Sequence, residues 1–260
     1  MTSQAWRIET RHFLTQKEDC APAECEDAIG INAESWRYAL ADGATEGYDA
    51  RRWARRLVEG WTEADPAPLS AQTFGAWVEE QGRWLHASWH DRPLPWYAEA
   101  KARQGSYAAF VGLQFRAVGA TLRWQAIALG DSCLLQRRAG ALLRALPISD
   151  AALFNSSPVL VPSLAALHET AFSHLTLEEG LAERGDVFLL MSDAGAAWYL
   201  KLSEERRDLE REFDALLAAS DFDALLALFR RERLANKINN DDIAILRIAI
   251  EEAQAPFPSV

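Results

Sequence analysis

The chain has 260 residues, of which 49% are apolar and 25% charged, with a formal net charge of −11. This is the composition of an ordinary soluble globular protein, and its acidity argues against nucleic acid or an anionic membrane surface as a partner while favouring divalent cations. No window approaches the roughly 18–20 continuous apolar residues of a membrane span, and the N-terminus lacks the regions of a signal peptide. Cys20, Cys25 and Cys133 supply neither a disulfide framework nor a four-ligand zinc set, which points to a reducing, cytoplasmic setting.

Residues 6–12 alternate and predict a first strand. A loop containing Lys17 to Glu26 follows, then strands at 28–32 and 36–41. Asp42 to Gly47 reads as a turn and 49–62 as a helix. There Trp53, Leu57, Val58 and Trp61 recur at helical spacing, with Arg51, Arg52, Arg55 and Arg56 mostly on the other side. A second helix is predicted over 71–89, ahead of a break at Asp91-Arg92-Pro93-Leu94-Pro95. The period then changes, and 105–118, 121–129 and 132–146 predict three successive strands separated by glycine-containing turns. Residues 150–170 are poorly patterned and read as a loop or flap. A strand at 186–191, a short helix at 194–202, amphipathic helices at 204–218 and 221–235 and a last strand at 242–250 complete the pattern. The tail, 253–260, is expected to be disordered. With no repeat and no shift in composition, 1–252 reads as one α+β domain with antiparallel sheets and helices packed outside them.

Acidic residues punctuate four of these strands: Glu26-Asp27 before Ala28–Ile31, Asp42-Gly43 after Tyr38–Ala41, Asp193 after Val187–Met191, and Asp241-Asp242 before Ile243–Leu246. One carboxylate at a strand end is an ordinary turn residue, and Asp-Gly alone is a common hairpin turn. Four that share a sheet could converge, and convergent carboxylates repel and resist ionisation unless a cation sits among them. An oxygen-only donor set suits Mg²⁺ or Mn²⁺. After a strand, Gly43 would let the backbone turn sharply and bring its own carbonyl close to an ion.

The motifs, taken in order, resemble those of the metal-dependent serine/threonine phosphatases of the type 2C family. Glu26-Asp27 is similar to the first acidic motif, Leu40-Ala41-Asp42-Gly43 to the strand-terminal Asp-Gly, and Gly105-Ser106-Tyr107-Ala108-Ala109 to the Gly-Ser-Thr-Ala strand start. Leu129-Gly130-Asp131-Ser132, Leu189-Leu190-Met191-Ser192-Asp193 and Asn240-Asp241-Asp242-Ile243-Ala244 resemble the later motifs, so the likeness spans about residues 20–250. It implies a four-layer αββα β-sandwich and hydrolysis of phosphoserine or phosphothreonine on proteins, with a phosphoprotein substrate and a cognate kinase as partners. It also implies two Mn²⁺ or Mg²⁺ ions bridged by Asp42. Asp193 and Asp241 would complete one ion's shell, the Gly43 carbonyl would join the other's, and Glu26 and Asp27 would contribute directly or through water.

The chain also departs from the family pattern. Asp193 is followed by Ala194-Gly195, the threonine expected after Gly-Ser is displaced or lost, and Ala102 stands where some members carry an acid for a third metal. No second acid follows among Ala196, Ala197 and Trp198, and no phosphate-binding arginine precedes Glu26, where Lys17 and Arg37 are the nearest cations. These losses leave a catalytically weak or regulatory type 2C-like module as the rival reading. An aspartyl-nucleophile phosphatase is disfavoured, because Leu40 and Ala44 occupy the places its second aspartate would need.

Other signals read as structural. His86 and His90 are spaced i, i+4 without the intervening glutamate of a metalloprotease helix and read as helix-surface residues. Trp53, Trp61, Trp77 and Trp84 read as core, Arg51 to Arg56 as a solvated helix face, Trp96-Tyr97 as a groove lining and Asp131 as a hairpin residue.

Overall fold

The computed structural model describes residues 6–65, 67, 69–90, 96–154, 157–205 and 207–251. Strands β1 (Arg7–Thr15), β2 (Ala28–Asn32) and β3 (Arg37–Gly43) lead into helices α1 (Ala50–Glu63), α2 (Ala71–His90) and α3 (Trp96–Ala102). Strands β4 (Tyr107–Val118), β5 (Thr121–Leu129), β6 (Cys133–Arg138) and β7 (Ala141–Leu146) follow, then the two-residue β8 (Val161–Pro162) and the short α4 (His168–Phe172). Strands β9 (Thr176–Ala182) and β10 (Val187–Met191), helices α5 (Asp193–Glu205), α6 (Arg207–Ala219) and α7 (Phe222–Leu234), and strand β11 (Ile243–Glu251) complete the order.

All strand pairs are antiparallel. One sheet runs β1-β11-β10-β6-β7; the other runs β2-β3-β4-β5-β9, with β8 joined to β4. Side chains alternate across a strand, so an inner strand with both faces covered must be apolar at every position. In β3, Tyr38 and Leu40 enter the core between the sheets, while Ala39 and Ala41 lie under α1. In β11, Ala244, Leu246, Ile248 and Ile250 face between the sheets, while Ile243 and Ile245 face α5 to α7. The result is an α+β sandwich of two antiparallel sheets with helices outside both. Aromatic groups lock the layers. Phe188 makes edge contacts with Phe115 and Trp124 between the sheets, Trp61 packs on Phe110 beneath α1, and Trp198 packs on Phe213 and Phe229 beneath α5 to α7. Each fully buried phenylalanine contributes about 2–3 kcal/mol.

Several expectations are corrected. Residues 132–146 form two strands, because Ala139 and Gly140 both take positive φ (50° and 79°) and fold the chain into a hairpin. β9 was not expected; its Glu178-Glu179-Gly180 centre belongs to an edge strand whose outer positions stay exposed. Within 150–170 the part from Val161 to His168 is tied down rather than free, since Val161 is buried against β4 and the His168 ring nitrogen meets the Pro162 carbonyl at 3.1 Å. Trp84 is 44% exposed beneath the guanidiniums of Arg52 and Arg56, whereas Trp53, Trp61 and Trp77 are buried. His86 is half-buried and meets the Ser163 hydroxyl at 3.1 Å. The break at 91–95, the tail at 253–260 and the side chains of His90, Trp96 and Tyr97 lie outside the described residues.

Candidate metal centre

The acidic motifs meet at one end of the sandwich. Ala28 pairs with Ala41, so Glu26 and Asp27 enter β2 beside the point where Asp42 and Gly43 leave β3. Asp42 pairs with Ala109 of β4. On that same alanine sits Gly130, at φ +105°, where a Cβ would come within 2.6 Å of the Ala109 Cβ. This close approach brings the β5–β6 turn, and with it Asp131, to the Asp42 side; the turn crosses from one sheet to the other and is not the hairpin expected there, because β5 and β6 do not pair. In the other sheet, Ser192 ties the end of β10 to the start of β11: its amide donates to the Ala244 carbonyl at 3.0 Å and its hydroxyl accepts from the Ala244 amide at 2.9 Å. Asp193, the first residue of α5, and Asp241 are thereby held at the same end.

A cavity of about 430 Å³ opens there, lined by Glu26, Asp42, Gly43, Asp131, Asp193, Asp241 and Asp242, with Tyr107, Pro158 and Leu160 as an apolar wall. Asp27 is buried beneath it, and among the described residues neither of its carboxylate oxygens has a hydrogen-bond partner. Gly43 is required for closeness rather than for a left-handed turn, since a Cβ would sit 2.8 Å from the Ala50 carbonyl oxygen and 3.0 Å from that of Glu26.

Crowding shows in the proton affinities. Burial, then the charges of Asp27, Asp193, Asp131 and Asp241, hold the Asp42 carboxyl well above its ordinary range. Burial raises Asp27 likewise; the Ser192 hydroxyl lies close enough to oppose this without completing a hydrogen bond, and Asp242, Asp193 and Asp241 add to the rise. Burial and Asp193 push Asp131 up to about 7. Asp193 is raised by burial and by Asp241, against a backbone hydrogen bond from Ala194 and one shared with Asp42. Burial also raises Glu26, opposed by the Thr45 hydroxyl, which donates to its carboxylate, and by Lys17.

Two neighbouring acids take different positions. Asp242 is buried and accepts the backbone amides of Lys17 at 2.9 Å and Glu26 at 2.7 Å, which fastens the 17–26 loop to β11. Asp241 is exposed to the cavity. Of the two candidate cations, Arg37 is remote from this end, buried and paired with Asp65 at 3.0 Å. Burial works to lower the Lys17 pKa, but Asp241, Asp242 and Glu26 outweigh it and hold the ammonium above its ordinary value. A second cation, Lys101 of α3, donates to the Thr45 carbonyl at the cavity rim, 3.0 Å away.

The donors fit hard divalent cations: they are oxygens alone, and among the described residues the buried Asp27 carboxylate has no hydrogen-bond donor. Among the described residues no three acidic, histidine or cysteine side chains already form a metal-ligand group. Sequence reading missed Asp131, Thr45 and Lys101 as parts of this site. The approach of Gly130 to Ala109, which brings Asp131 here, follows from the β4–β5 pairing and shows only in the structure.

The catalytic domain of the serine/threonine phosphatase PstP, in complex with two manganese ions, superposes with a TM-score of 0.60 at 16% identity, covering 95% of this chain and 100% of that one. The phosphatase Stp1 from Staphylococcus aureus gives 0.59 at 15%, covering 94% and 96%. PppA, a regulatory component of the type VI secretion system in Pseudomonas aeruginosa, gives 0.57 at 17%, covering 94% and 97%. The chain has the type 2C phosphatase fold. No protein-family model and no curated protein matches the sequence, so the likeness lies in the fold. In the type 2C fold of this chain, the acidic cavity lies where β3, β10 and β11 bring their acidic residues together, at the shared end of the two sheets.

Proposed function

We propose that the chain is a type 2C family member that hydrolyses phosphoserine and phosphothreonine on proteins, with two Mn²⁺ or Mg²⁺ ions. The observation that carries this reading is the gathering of Glu26, Asp42, Asp131, Asp193 and Asp241 around one cavity, with Asp27 buried beside them, in a phosphatase fold. Asp42, Asp193, Asp241 and the Gly43 carbonyl would hold the ions, with Glu26 and Asp27 behind them. Bound there, the ions supply Lewis-acid activation of water and neutralise charge on the phosphoryl oxygens. The chain's own part is positioning. Asp242 fixes Glu26 through its amide, Thr45 orients the Glu26 carboxylate, and the apolar wall at Tyr107 and Leu160 shields one side from water. Lys17, beside Asp241, Asp242 and Glu26, and Lys101, at Thr45, are two cations near the cavity that phosphate oxygens could meet, and Lys17 stays protonated throughout the neutral range. With no histidine beside Asp42-Gly43, solvent protonates the leaving alkoxide.

Phosphoproteins and a cognate kinase are the partners of this reading, and the cytoplasm its setting; no described helix is long and apolar enough to cross a membrane. A regulatory module that binds without turnover is the second reading, favoured by Ala102 and Ala196-Ala197-Trp198 standing where the family pattern carries acids. Phosphate release from a phosphothreonine peptide, with and without Mn²⁺, separates the two. Metal-dependent release that collapses in Asp193→Asn supports the hydrolase. No release by folded wild-type protein across metals and peptides supports the module.

A further inference from the structure

The outer face of the second sheet is covered at one end only. Helix α1 descends on it where glycines allow: a Cβ at Gly112 would meet the Trp61 ring at 2.6 Å, and one at Gly30 the Val58 carbonyl at 2.7 Å. Positions two apart share a face, so Gln114, Arg116 and Val118 continue from Gly112 along β4 on the helix side. Arg123 and Gln125 of β5 lie opposite them, and Leu181 of β9 lies beside Arg123. Among the described residues no helix lines this part of the sheet; these six residues line an open hollow of about 330 Å³.

Arg116 and Arg123 are direct cross-strand partners. Like charges in that position destabilise a strand pair. Among the described residues neither guanidinium has an ion-pair or hydrogen-bond partner. Glu179, hydrogen-bonded to Gln125 Nε2 at 3.4 Å, closes one side of the hollow and leaves the arginine pair open to solvent. Apolar side chains flank the pair, Val118 at 52% and Leu181 at 51% exposure. In a chain of net charge −11, a bare arginine pair between exposed aliphatic groups is a local reversal of surface character. An acidic partner is repelled elsewhere and retained here, which fixes where it binds.

We propose that this open end of the sheet docks an acidic, leucine-bearing segment of a partner protein. Its carboxylates pair with Arg116 and Arg123, and its apolar side chains cover Val118 and Leu181. Seven residues of β4 separate Arg116 from Ala109 at the acidic cavity, which at ~3.4 Å per residue is about 24 Å. The surface therefore acts apart from the cavity, and its test needs no turnover.

The test is fluorescence anisotropy of a labelled, glutamate-rich peptide of about ten residues carrying two leucines, titrated with the full chain at low and at raised salt. The wild type binds at low salt, more weakly at raised salt, and ignores the matching lysine-rich peptide. Arg116→Glu weakens binding about tenfold or more and, because it converts a like-charged pair into an opposite one, leaves the melting temperature unchanged or higher. Arg123→Glu behaves the same way. Absence of binding to folded wild type, retention in both variants, loss in Arg52→Glu/Arg56→Glu instead, or a marked fall in the melting temperature of Arg116→Glu each overturns the proposal.

Discussion

Replacing Asp131 with asparagine should stabilise the metal-free protein at neutral and alkaline pH and not at acid pH. In the fold its carboxyl is pushed up to about 7 from an ordinary 3.8, so the folded state holds a proton that the unfolded state has released across that interval. A raised carboxyl favours folding while protonated, and that advantage is lost as pH rises from about 4 through about 7. At roughly 1.4 kcal/mol per pH unit, the ionised group costs the fold up to about 4 kcal/mol, and side-chain relaxation with counter-ions reduces this to about 2 kcal/mol. For a chain of this size each kcal/mol moves the midpoint by about 2–4 °C, so the variant should melt about 4–8 °C above wild type. The assay is thermal denaturation in a chelator at pH 8.5 and at pH 4.5. The gap should be present at the first and nearly absent at the second, and Mn²⁺ at pH 8.5 should narrow it by stabilising wild type more. An equal gap at both pH values, or a variant less stable at pH 8.5, would refute the reasoning.

Gly43→Ala should cost about 1–3 kcal/mol in denaturant unfolding and abolish most metal-dependent turnover, because the new methyl meets the backbone of Ala50 and Glu26 rather than a side chain that can swing away. Arg138→Met strips the fully buried Asp186 of its bidentate partner at 2.6 and 3.0 Å. The loss, read by urea unfolding at neutral pH, should be about 3 kcal/mol. It should be largely relieved in Arg138→Met/Asp186→Asn; a single variant as stable as wild type would contradict this.

Much of the fold was legible because its inner strands are apolar on both faces. Tyr38 to Ala41 and Ile243 to Leu246 admit few other readings, and Trp53, Leu57, Val58 and Trp61 mark α1. The failures are local. Ala139-Gly140 carries no Asn-Gly or Asp-Gly signature, so the β6–β7 hairpin looked like one long strand. β9 failed for the opposite reason: an edge strand need bury only one row of side chains, and Glu178-Glu179-Gly180 breaks the pattern. Trp84 was assigned to the core by spacing, yet its side chain lies beneath two arginines that give it a partner at the surface. At the site, the strand-end acids were visible as types and spacings. What each would do was not. Asp241 and Asp242 are adjacent and chemically identical, but only tertiary pairing reveals that Asp242 caps the amides of Lys17 and Glu26 while Asp241 faces the cavity. Asp131 was hidden because Gly-Asp-Ser serves a plain turn equally well. The remoteness of Arg37 follows from strand direction, which places it at the opposite end of β3 from Asp42.

We propose that Asp42 and its neighbouring acids would hold two divalent cations in the carboxylate cavity. The direct measurement is Mn²⁺ stoichiometry and affinity, by calorimetric or electron paramagnetic resonance titration of folded wild type and Asp42→Asn near pH 7.5. Two ions in the wild type, with affinity lost for both in the variant, is the predicted result. No binding to the folded wild type, or the same two-site isotherm in Asp42→Asn, would contradict it.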